Sequence, residues 1–190
     1  DDENFVRNDP DRCYFCKKRL FGRLGEVAAA RGIRWVADGS NCDDLEDYRP
    51  GRRAAAEMGV RSPLVEAGFS KNEIREVSRR MGLPTWDKPA AACLASRIAY
   101  GVRIEPRVLA NIDEAEGFLR QFGFHQVRVR HHGTMARIEV EREQVARLAS
   151  PEVRQRVAEK CQSLGYSYTT LDLLGYRTGS MNAALDLAEG

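Results

Sequence analysis

The sequence lacks any apolar run that approaches the roughly 20 residues of a membrane-spanning helix. Its opening residues, DDENFVRNDPDR, are acidic and do not resemble a signal peptide. These absences argue against a membrane partner and predict a cytoplasmic protein. An initiator methionine and a first element leading into the chain are also missing, so we expect a fragment of a longer protein.

A strong charge of either sign is missing as well. Among 190 residues, 30 Lys and Arg stand against 28 Asp and Glu, which gives a formal net charge of +2. Binding to a phosphate backbone depends on many Lys and Arg contacts, and the sequence has no long basic, aromatic-studded stretch. A nucleic-acid partner is therefore not expected. RNA binding with tRNA thiolation, or binding without chemistry, stays open as a rival interpretation.

The five cysteines are an odd number in a chain long enough to fold without disulfides, so we expect reduced thiols. Cys13 and Cys16 form a CxxC motif, but no second CxxC completes a four-sulfur zinc site. Two helix cysteines facing different ways are an equally good interpretation. A third thiolate from Cys93 would allow an iron–sulfur cluster with one iron left open to an exogenous sulfur.

Apolar periodicity predicts an α/β protein. A helix is expected from Asp11 to Gly32, followed by a short strand at 33–37 and the polar turn DGSNCDD at 38–44. The other predicted elements are helices at 53–58, 70–82, 106–123 and 150–164, a long loop over 84–101, and strands at 126–130, 135–141 and 166–173.

The DGSNCDD turn follows a strand at the edge where open parallel sheets bind their ligands. Gly39 would let a ligand approach the backbone, and Ser40 and Asn41 offer hydrogen bonds. Asp43 and Asp44 are suited to holding magnesium or anchoring the loop. The competing interpretation is an acidic turn whose Asx side chains bond to their own backbone.

The sequence around Cys93 reads KPAAACLASRIAYG. Small side chains on both sides would admit a ligand, and Arg97 within one turn favours the thiolate form. The alternative is that Cys93 is a small buried residue in a packed loop.

The strands at 126–130 and 135–141 alternate in polarity. Val127, Val129, Ala136, Ile138 and Val140 are predicted to face the core, and Arg128, Arg130, Arg137, Glu139 and Glu141 the opposite side. Cross-strand ion pairing on a solvated face is the default for that side. A fork of Arg128 and Arg130 also suits a phosphate monoester. The three histidines receive no role.

Six stretches, taken together, resemble the ATP-dependent sacrificial sulfur transferases of the LarE type, within the PP-loop ATP pyrophosphatase superfamily. They are RCYFCK (12–17), DGSNCDDLEDYRPGRRAA (38–55), SPLVEAGFSKNEIR (62–75), GLPTWDKPAAACLASRI (82–98), QVRVRHH (126–132) and GYRTGS (175–180). The resemblance implies a Rossmann-like PP-loop ATP-binding domain at 1–99 and a smaller α/β sulfur-transfer domain at 100–190. The superfamily's SGGxDS-like phosphate loop is absent, which fits an N-terminally incomplete domain.

The resemblance also implies chemistry. ATP with Mg²⁺ adenylates a carboxylate of pyridinium-3,5-biscarboxylic acid mononucleotide, and the activated carboxylate accepts sulfur for the nickel-pincer nucleotide. Homo-oligomers, typically hexamers built of trimers, are expected. The implied residues are Cys93 as sulfur donor, Ser96, Arg97, Arg128, Arg130 and Arg177 at the substrate, Gly39, Ser40, Asn41 and Asp44 at the nucleotide, and Glu116 and Glu139 at a metal.

Two alternatives stay open beside the sacrificial cysteine. The same reaction would be possible with a [4Fe-4S] cluster on Cys13, Cys16 and Cys93. A PP-loop amidotransferase or synthetase akin to NAD or GMP synthetases would capture the adenylate with ammonia instead, and Cys93 would then be replaceable by Ala or Ser.

Overall fold

The computed structural model describes residues 2–45, 50–88 and 92–177. The chain divides into two compact units. The first comprises Asp1–Phe5 and Asp9–Ala90, and the second comprises Val6–Asn8 and Ala91–Gly190. Within the described ranges, no helix has both the length and the apolarity to cross a membrane.

The first unit is helical. Its elements are α1 (Glu3–Val6), whose last residue belongs to the second unit, α2 (Arg12–Ala30), α3 (Pro50–Glu57), α4 (Pro63–Glu66) and α5 (Lys71–Arg80). The predicted helix at 11–32 is confirmed as α2, which packs closely on α3. A Cβ added at Gly51 in α3 would lie 2.9 Å from Cγ of Lys17 in α2, so a glycine permits this approach. The capping box of Ser70 and Glu73 opens α5 as predicted.

The segment at 33–37 differs from the predicted strand. Only Ala37 forms a bridge, parallel to Arg61, with a 2.9 Å hydrogen bond from the Arg61 amide to the Val36 carbonyl. Ile33 and Trp35 are each 52% exposed. Extended backbone becomes a strand only when a neighbour pairs with it, and the described residues supply a single bridge here.

The second unit contains the three-stranded sheet. Its elements in chain order are α6 (Pro106–Gln121), β1 (Val127–His132), β2 (Met135–Val140), α7 (Val145–Leu148), α8 (Pro151–Ser163) and β3 (Tyr168–Leu171). β1 pairs antiparallel with β2, and β3 lies parallel to β2 on its other side. The parallel pairing requires a crossover, which α8 provides. The chain is therefore an α/β protein, as predicted.

One face of this sheet forms the core of the second unit. Val127, Val129, Ala136, Ile138 and Val140 are all buried there, as the alternation predicted, together with Ile112, Ala115 and Leu119 of α6. The opposite face corrects a prediction. Arg128, Arg130 and Glu139 are only 6%, 5% and 0% exposed, so these three side chains are not solvated. Arg137 is partly exposed and Glu141 is exposed, so the prediction holds only for that end of the face. Cross-strand ion pairing is present, but away from water.

Candidate functional site

Cys93 begins a tight turn in the second unit. It directly precedes the 3₁₀ turn Leu94–Arg97, and its side chain is exposed. The Ser96 amide donates to the Cys93 carbonyl oxygen at 2.9 Å, and Ser96 Oγ donates to the same oxygen at 2.6 Å. We define residues 92–97 as the donor loop; residues 89–91 of the small-residue stretch lie outside the described ranges.

Arg97 is the last residue of this loop, and it is only 3% exposed. Its Nη1 donates to the carbonyl oxygens of Ala92 and Cys93 at 2.8 and 3.0 Å. It also donates to Ser96 Oγ at 3.1 Å. The guanidinium therefore fixes the main chain on either side of the thiol-bearing residue. The predicted substrate-binding role of Arg97 is not tested by these contacts.

Glu116 of α6 holds Arg97 in place. Its Oε1 accepts from Arg97 Nε at 2.9 Å, and its Oε2 accepts from Arg97 Nη2 at 3.2 Å and from Arg120 Nη2 at 2.7 Å. The Val129 amide of β1 donates to Oε1 at 3.1 Å. The carboxylate is fully buried, and these partners satisfy it. The metal role predicted for Glu116 is not favoured by this arginine pairing.

A second buried ion-pair group lies on the charged face of the sheet. Arg130 Nη1 donates to the Ser96 carbonyl oxygen at 3.1 Å, and its Nη2 donates to Glu139 Oε2 at 2.8 Å. Arg137 Nη2 donates to Glu139 Oε1 at 3.1 Å. Arg130 thus links β1 to the donor loop, and the carboxylate predicted to bind metal is engaged by two arginines. The structure brings together predicted site residues that lie far apart in sequence.

Arg128 lies near the same group. Its Nη1 donates to the Val127 carbonyl oxygen at 2.8 Å, and its guanidinium lies 5.2 Å from the centre of the Tyr176 ring. Burial lowers the pKa of Arg128, and the neighbouring positive charge of Arg97 lowers it further. An additional anion close to these cations would relieve that unfavourable charge balance.

The first residues of the GYRTGS stretch contact β2 and Arg128. The Tyr176 amide donates to the Val140 carbonyl oxygen at 2.7 Å, which anchors the chain after β3. Arg177 lies 3.6 Å from Asp172 and is half exposed, so it is the most accessible of the four arginines predicted at the substrate. Residues 178–180 of the motif lie outside the described ranges.

The DGSNCDD turn belongs to the first unit and is held by local hydrogen bonds. Asp38 accepts from the Ser40 amide, Ser40 Oγ and Ser62 Oγ at 3.1, 2.9 and 2.8 Å. Burial acts to raise the pKa of Asp38, but the bonds from Ser62 and Ser40 outweigh it, so the pKa is lowered. Asp44 accepts from the Asn41 amide at 3.0 Å. The predicted Asx turn is present.

The backbone at Gly39 is open. A Cβ added at Gly39 would meet no atom within 4 Å. The nucleotide roles of Gly39, Ser40, Asn41 and Asp44 stay predictions, because local hydrogen bonding and ligand binding are compatible at such a turn.

The thiols are divided between the units. Cys13 and Cys16 are exposed on α2 of the first unit, whereas Cys93 belongs to the second. All five cysteines are free in the structure, and Cys161 is buried. In the described part of the chain, no group of three or more His, Cys, Asp or Glu side chains is arranged to hold a metal ion. The iron–sulfur alternative therefore stays a prediction.

Asn8 is a site residue that sequence reasoning missed. It is fully buried, with a positive φ of 62°. Its Nδ2 donates to the carbonyl oxygens of Ala99 and Val102 at 2.7 and 2.8 Å, and more weakly to that of Ile98 at 3.4 Å. It thereby holds the chain immediately after the donor loop. The only sequence signal is Asn before Asp-Pro, which indicates a turn and no more.

Comparison with known proteins places this geometry in context. No protein-family profile matches the chain. It is 46% identical over 182 residues to an uncharacterised protein of Synechocystis, covering 96% of this chain and 68% of that one. It is 40% identical over 188 residues to the pyridinium-3,5-bisthiocarboxylic acid mononucleotide synthase of Lactiplantibacillus plantarum, covering 99% and 67%. An uncharacterised protein of Methanocaldococcus jannaschii is 30% identical over 176 residues, covering 93% and 68%.

Proposed function

This chain belongs to the family of the pyridinium-3,5-bisthiocarboxylic acid mononucleotide synthase, the LarE-type sulfur transferases, and we propose that it transfers sulfur to a carboxylate of pyridinium-3,5-biscarboxylic acid mononucleotide. The reaction belongs to nickel-pincer nucleotide biosynthesis. Two findings support this assignment. The 40% identity extends over 99% of the chain, and the structure places an exposed cysteine on an anchored loop.

The chemistry that fits has two stages. ATP, with Mg²⁺, adenylates the substrate carboxylate and makes it an acceptor for a nucleophile. The Cys93 thiolate then attacks the activated carbonyl carbon, AMP leaves, and a thioester joins the substrate to the protein. Elimination across the Cα–Cβ bond of Cys93 releases a thiocarboxylate and leaves dehydroalanine.

The observation that carries this proposal is the contrast between the two parts of Cys93. Its side chain is exposed, whereas its carbonyl group is tied down by Ser96 and by the buried Arg97. A nucleophile must reach a bulky nucleotide while its backbone stays in position, and this arrangement provides both. A cysteine that served only to fill the core would have its sulfur buried, as Cys161 does.

The remaining roles belong to the same proposal. Arg128, Arg130 and Arg177 bind the substrate phosphate, because guanidinium groups match phosphate oxygens bidentately. Gly39, Ser40, Asn41 and Asp44 border ATP in a PP-loop ATP-binding domain. The active protein is a cytoplasmic hexamer built of trimers, which sedimentation of the full-length protein would test.

A [4Fe-4S] cluster on Cys13, Cys16 and Cys93 is the alternative sulfur carrier. When bound, it would supply an exchangeable sulfide so that the protein is not consumed. The exposure of Cys13 and Cys16 is compatible with a ligand role for each thiol.

Intact-protein mass spectrometry tests the proposal. Full-length protein, purified without oxygen, is incubated once with ATP, magnesium and the dicarboxylate mononucleotide. We expect a loss of about 34 Da, the mass of hydrogen sulfide, which peptide mapping places at Cys93. Cys93→Ala should yield no thiolated product, whereas Cys161→Ala, at a buried cysteine that the proposal gives no role, should still form product.

The other outcomes separate the alternatives. Thiolated product with unchanged protein mass and bound iron would favour the cluster. ATP-dependent amidation of the substrate that persists in Cys93→Ala would favour the amidotransferase or synthetase alternative. Unchanged mass with no product would overturn sulfur transfer.

A further inference from the structure

The carbonyl oxygen of Cys93 receives an unusual number of hydrogen bonds. Three donors converge on it: the Ser96 amide at 2.9 Å, Ser96 Oγ at 2.6 Å and Arg97 Nη1 at 3.0 Å. A 3₁₀ turn requires only the amide donor. The hydroxyl and the cationic guanidinium are additional, and a charged donor binds an oxygen most strongly when that oxygen becomes negative.

Negative charge is expected on this oxygen during the second stage of the proposed reaction. To release the thiocarboxylate, the Cα–H bond of Cys93 must break. The electron pair left at Cα is delocalised onto the neighbouring carbonyl oxygen as an enolate. It then forms the Cα=Cβ bond while the Cβ–S bond breaks with its electron pair going to sulfur. The proton passes to hydroxide or water, and the step needs no oxidant or reductant.

We propose that Ser96 and Arg97 form an oxyanion site for this enolate, and are thus catalytic residues of the elimination step. The inference rests on the proposed function, because it assumes Cys93 as the sulfur donor. It assigns Arg97 to the main chain of the protein's own cysteine, whereas the sequence resemblance implied contact with the substrate.

The donors are preorganised for that role. Arg97 donates hydrogen bonds to Glu116 through Nε and Nη2. Its Nη1 remains available to the carbonyl oxygens of Ala92 and Cys93. The same Nη1 donates to Ser96 Oγ at 3.1 Å, and that hydroxyl donates onward to the Cys93 oxygen. A polarised chain of this kind strengthens the final hydrogen bond. Glu116 is therefore a positioning residue that acts through Arg97.

The expected size of the effect follows from other oxyanion sites. Removing one preorganised donor typically slows the step in which charge develops by about 10²- to 10³-fold. The attack of the thiolate on the adenylate places no charge on the Cys93 carbonyl oxygen. Loss of a donor should therefore slow elimination selectively and leave thioester formation nearly unchanged.

A single-turnover experiment on the full-length protein separates the two stages. Reactions of the unmodified protein and of Arg97→Gln, Arg97→Lys and Ser96→Ala are quenched over time and analysed by intact mass. We expect Arg97→Gln and Ser96→Ala to accumulate the thioester adduct, which then decays about 10²-fold more slowly. Arg97→Lys should be affected less, because it keeps a cation. Arg107→Gln, an exposed arginine on α6, is the matched control.

Two results would overturn the proposal. Parallel slowing of adduct formation and decay would mean that Ser96 and Arg97 only shape the loop. Rates restored by saturating mononucleotide would mean that they bind substrate. If the unmodified protein never loses mass at Cys93, the sacrificial role of Cys93 has failed, and sulfur transfer itself has failed only if no thiolated product forms. A second experiment still judges the oxyanion site.

That second experiment uses neither ATP nor mononucleotide. A dihalide reagent alkylates exposed cysteines to cyclic sulfonium groups, which eliminate to dehydroalanine when the Cα proton is lost. Cys13 and Cys16, also exposed, serve as internal controls in the same molecules. We expect Cys93 to eliminate at least about 10-fold faster than either, and Arg97→Gln and Ser96→Ala to remove most of that advantage. Equal elimination rates at all three cysteines, or an advantage unchanged in both variants, would refute the oxyanion site.

Discussion

The guanidinium of Arg130 lies 2.8 Å from the carboxylate of Glu139 on the neighbouring strand, and both side chains are almost fully excluded from water. The same carboxylate accepts a hydrogen bond from Arg137 at 3.1 Å. One buried carboxylate therefore pairs with two guanidinium groups, of which Arg137 also lies 3.8 Å from Asp172. Through Arg130, the pair connects the sheet with the Ser96 carbonyl oxygen of the donor loop.

Glu139→Gln should strongly destabilise the protein. The substitution keeps the side-chain shape but removes the buried charge that pairs with Arg130, and breaking a buried ion pair costs about 3–5 kcal/mol. Glu114→Gln is the control, because the exposed Glu114–Lys160 pair contributes less than about 1 kcal/mol. Urea unfolding followed by circular dichroism measures both. Equal losses for the two variants would show that burial of the Arg130–Glu139 pair carries no special weight.

Asn8 should be critical for the chain that follows the donor loop. Asn8→Gly keeps the positive φ accessible but removes the Nδ2 bonds to the carbonyl oxygens of Ala99 and Val102. At about 1 kcal/mol for each hydrogen bond, we expect a loss of about 2 kcal/mol. Asn8→Ala should cost about 1 kcal/mol more, because Cβ disfavours this φ. Thermal and urea unfolding of the two variants provide the test. If Asn8→Gly is as stable as the unmodified protein, the hydrogen bonds contribute nothing net.

The hairpin was predictable because its information is local. Alternation in QVRVR and MARIEV assigns side chains to two faces, and the valines and isoleucine identify the core face without knowledge of the rest of the chain. The same pattern cannot say what covers the other face. Arg130 donates to the Ser96 carbonyl oxygen, which lies 34 residues earlier in the sequence, and side-chain periodicity cannot predict such a contact.

The donor loop shows the same division. Its small residues and Cys93 were recognisable as a candidate site from composition. That Arg97 turns toward the main chain depends on Glu116, which reaches it from a helix 19 residues further along. Asn8, which bonds to the Ala99 carbonyl oxygen, is even more distant in sequence, 91 residues before Ala99. The strand predicted at 33–37 was wrong for a related reason. β-branched residues favour extended backbone, but they do not supply a neighbouring strand to pair with.

Gly175 is expected to tolerate no side chain. Its φ is 70°, and an added Cβ would lie 2.8 Å from the Val140 carbonyl oxygen, a backbone atom that cannot swing aside. Gly133 supplies the control, because its φ is 63° but an added Cβ meets no atom within 4 Å. Gly133→Ala should cost about 1 kcal/mol for the left-handed backbone alone, and Gly175→Ala at least about 2–3 kcal/mol. Equal values from urea unfolding would contradict a steric role for the Val140 contact.

Acid should destabilise the second unit through two histidines of β1. Burial lowers the pKa of His131, and burial followed by the positive charge of Arg137 lowers the pKa of His132, below the ordinary value of 6.5. The unfolded chain therefore binds more protons than the folded one as the pH falls below about 6.5, and the free energy of unfolding decreases. The loss levels off once the pH drops below the folded-state pKa values.

Urea unfolding between pH 7.5 and 5.5 measures this dependence. His131→Gln combined with His132→Gln should flatten it, because neither replacement titrates. His125→Gln, at an exposed position just before β1, should leave the slope unchanged. A slope that persists in the double variant would assign the acid sensitivity to other groups. A slope that disappears with His125→Gln would show that burial of His131 and His132 does not set the linkage.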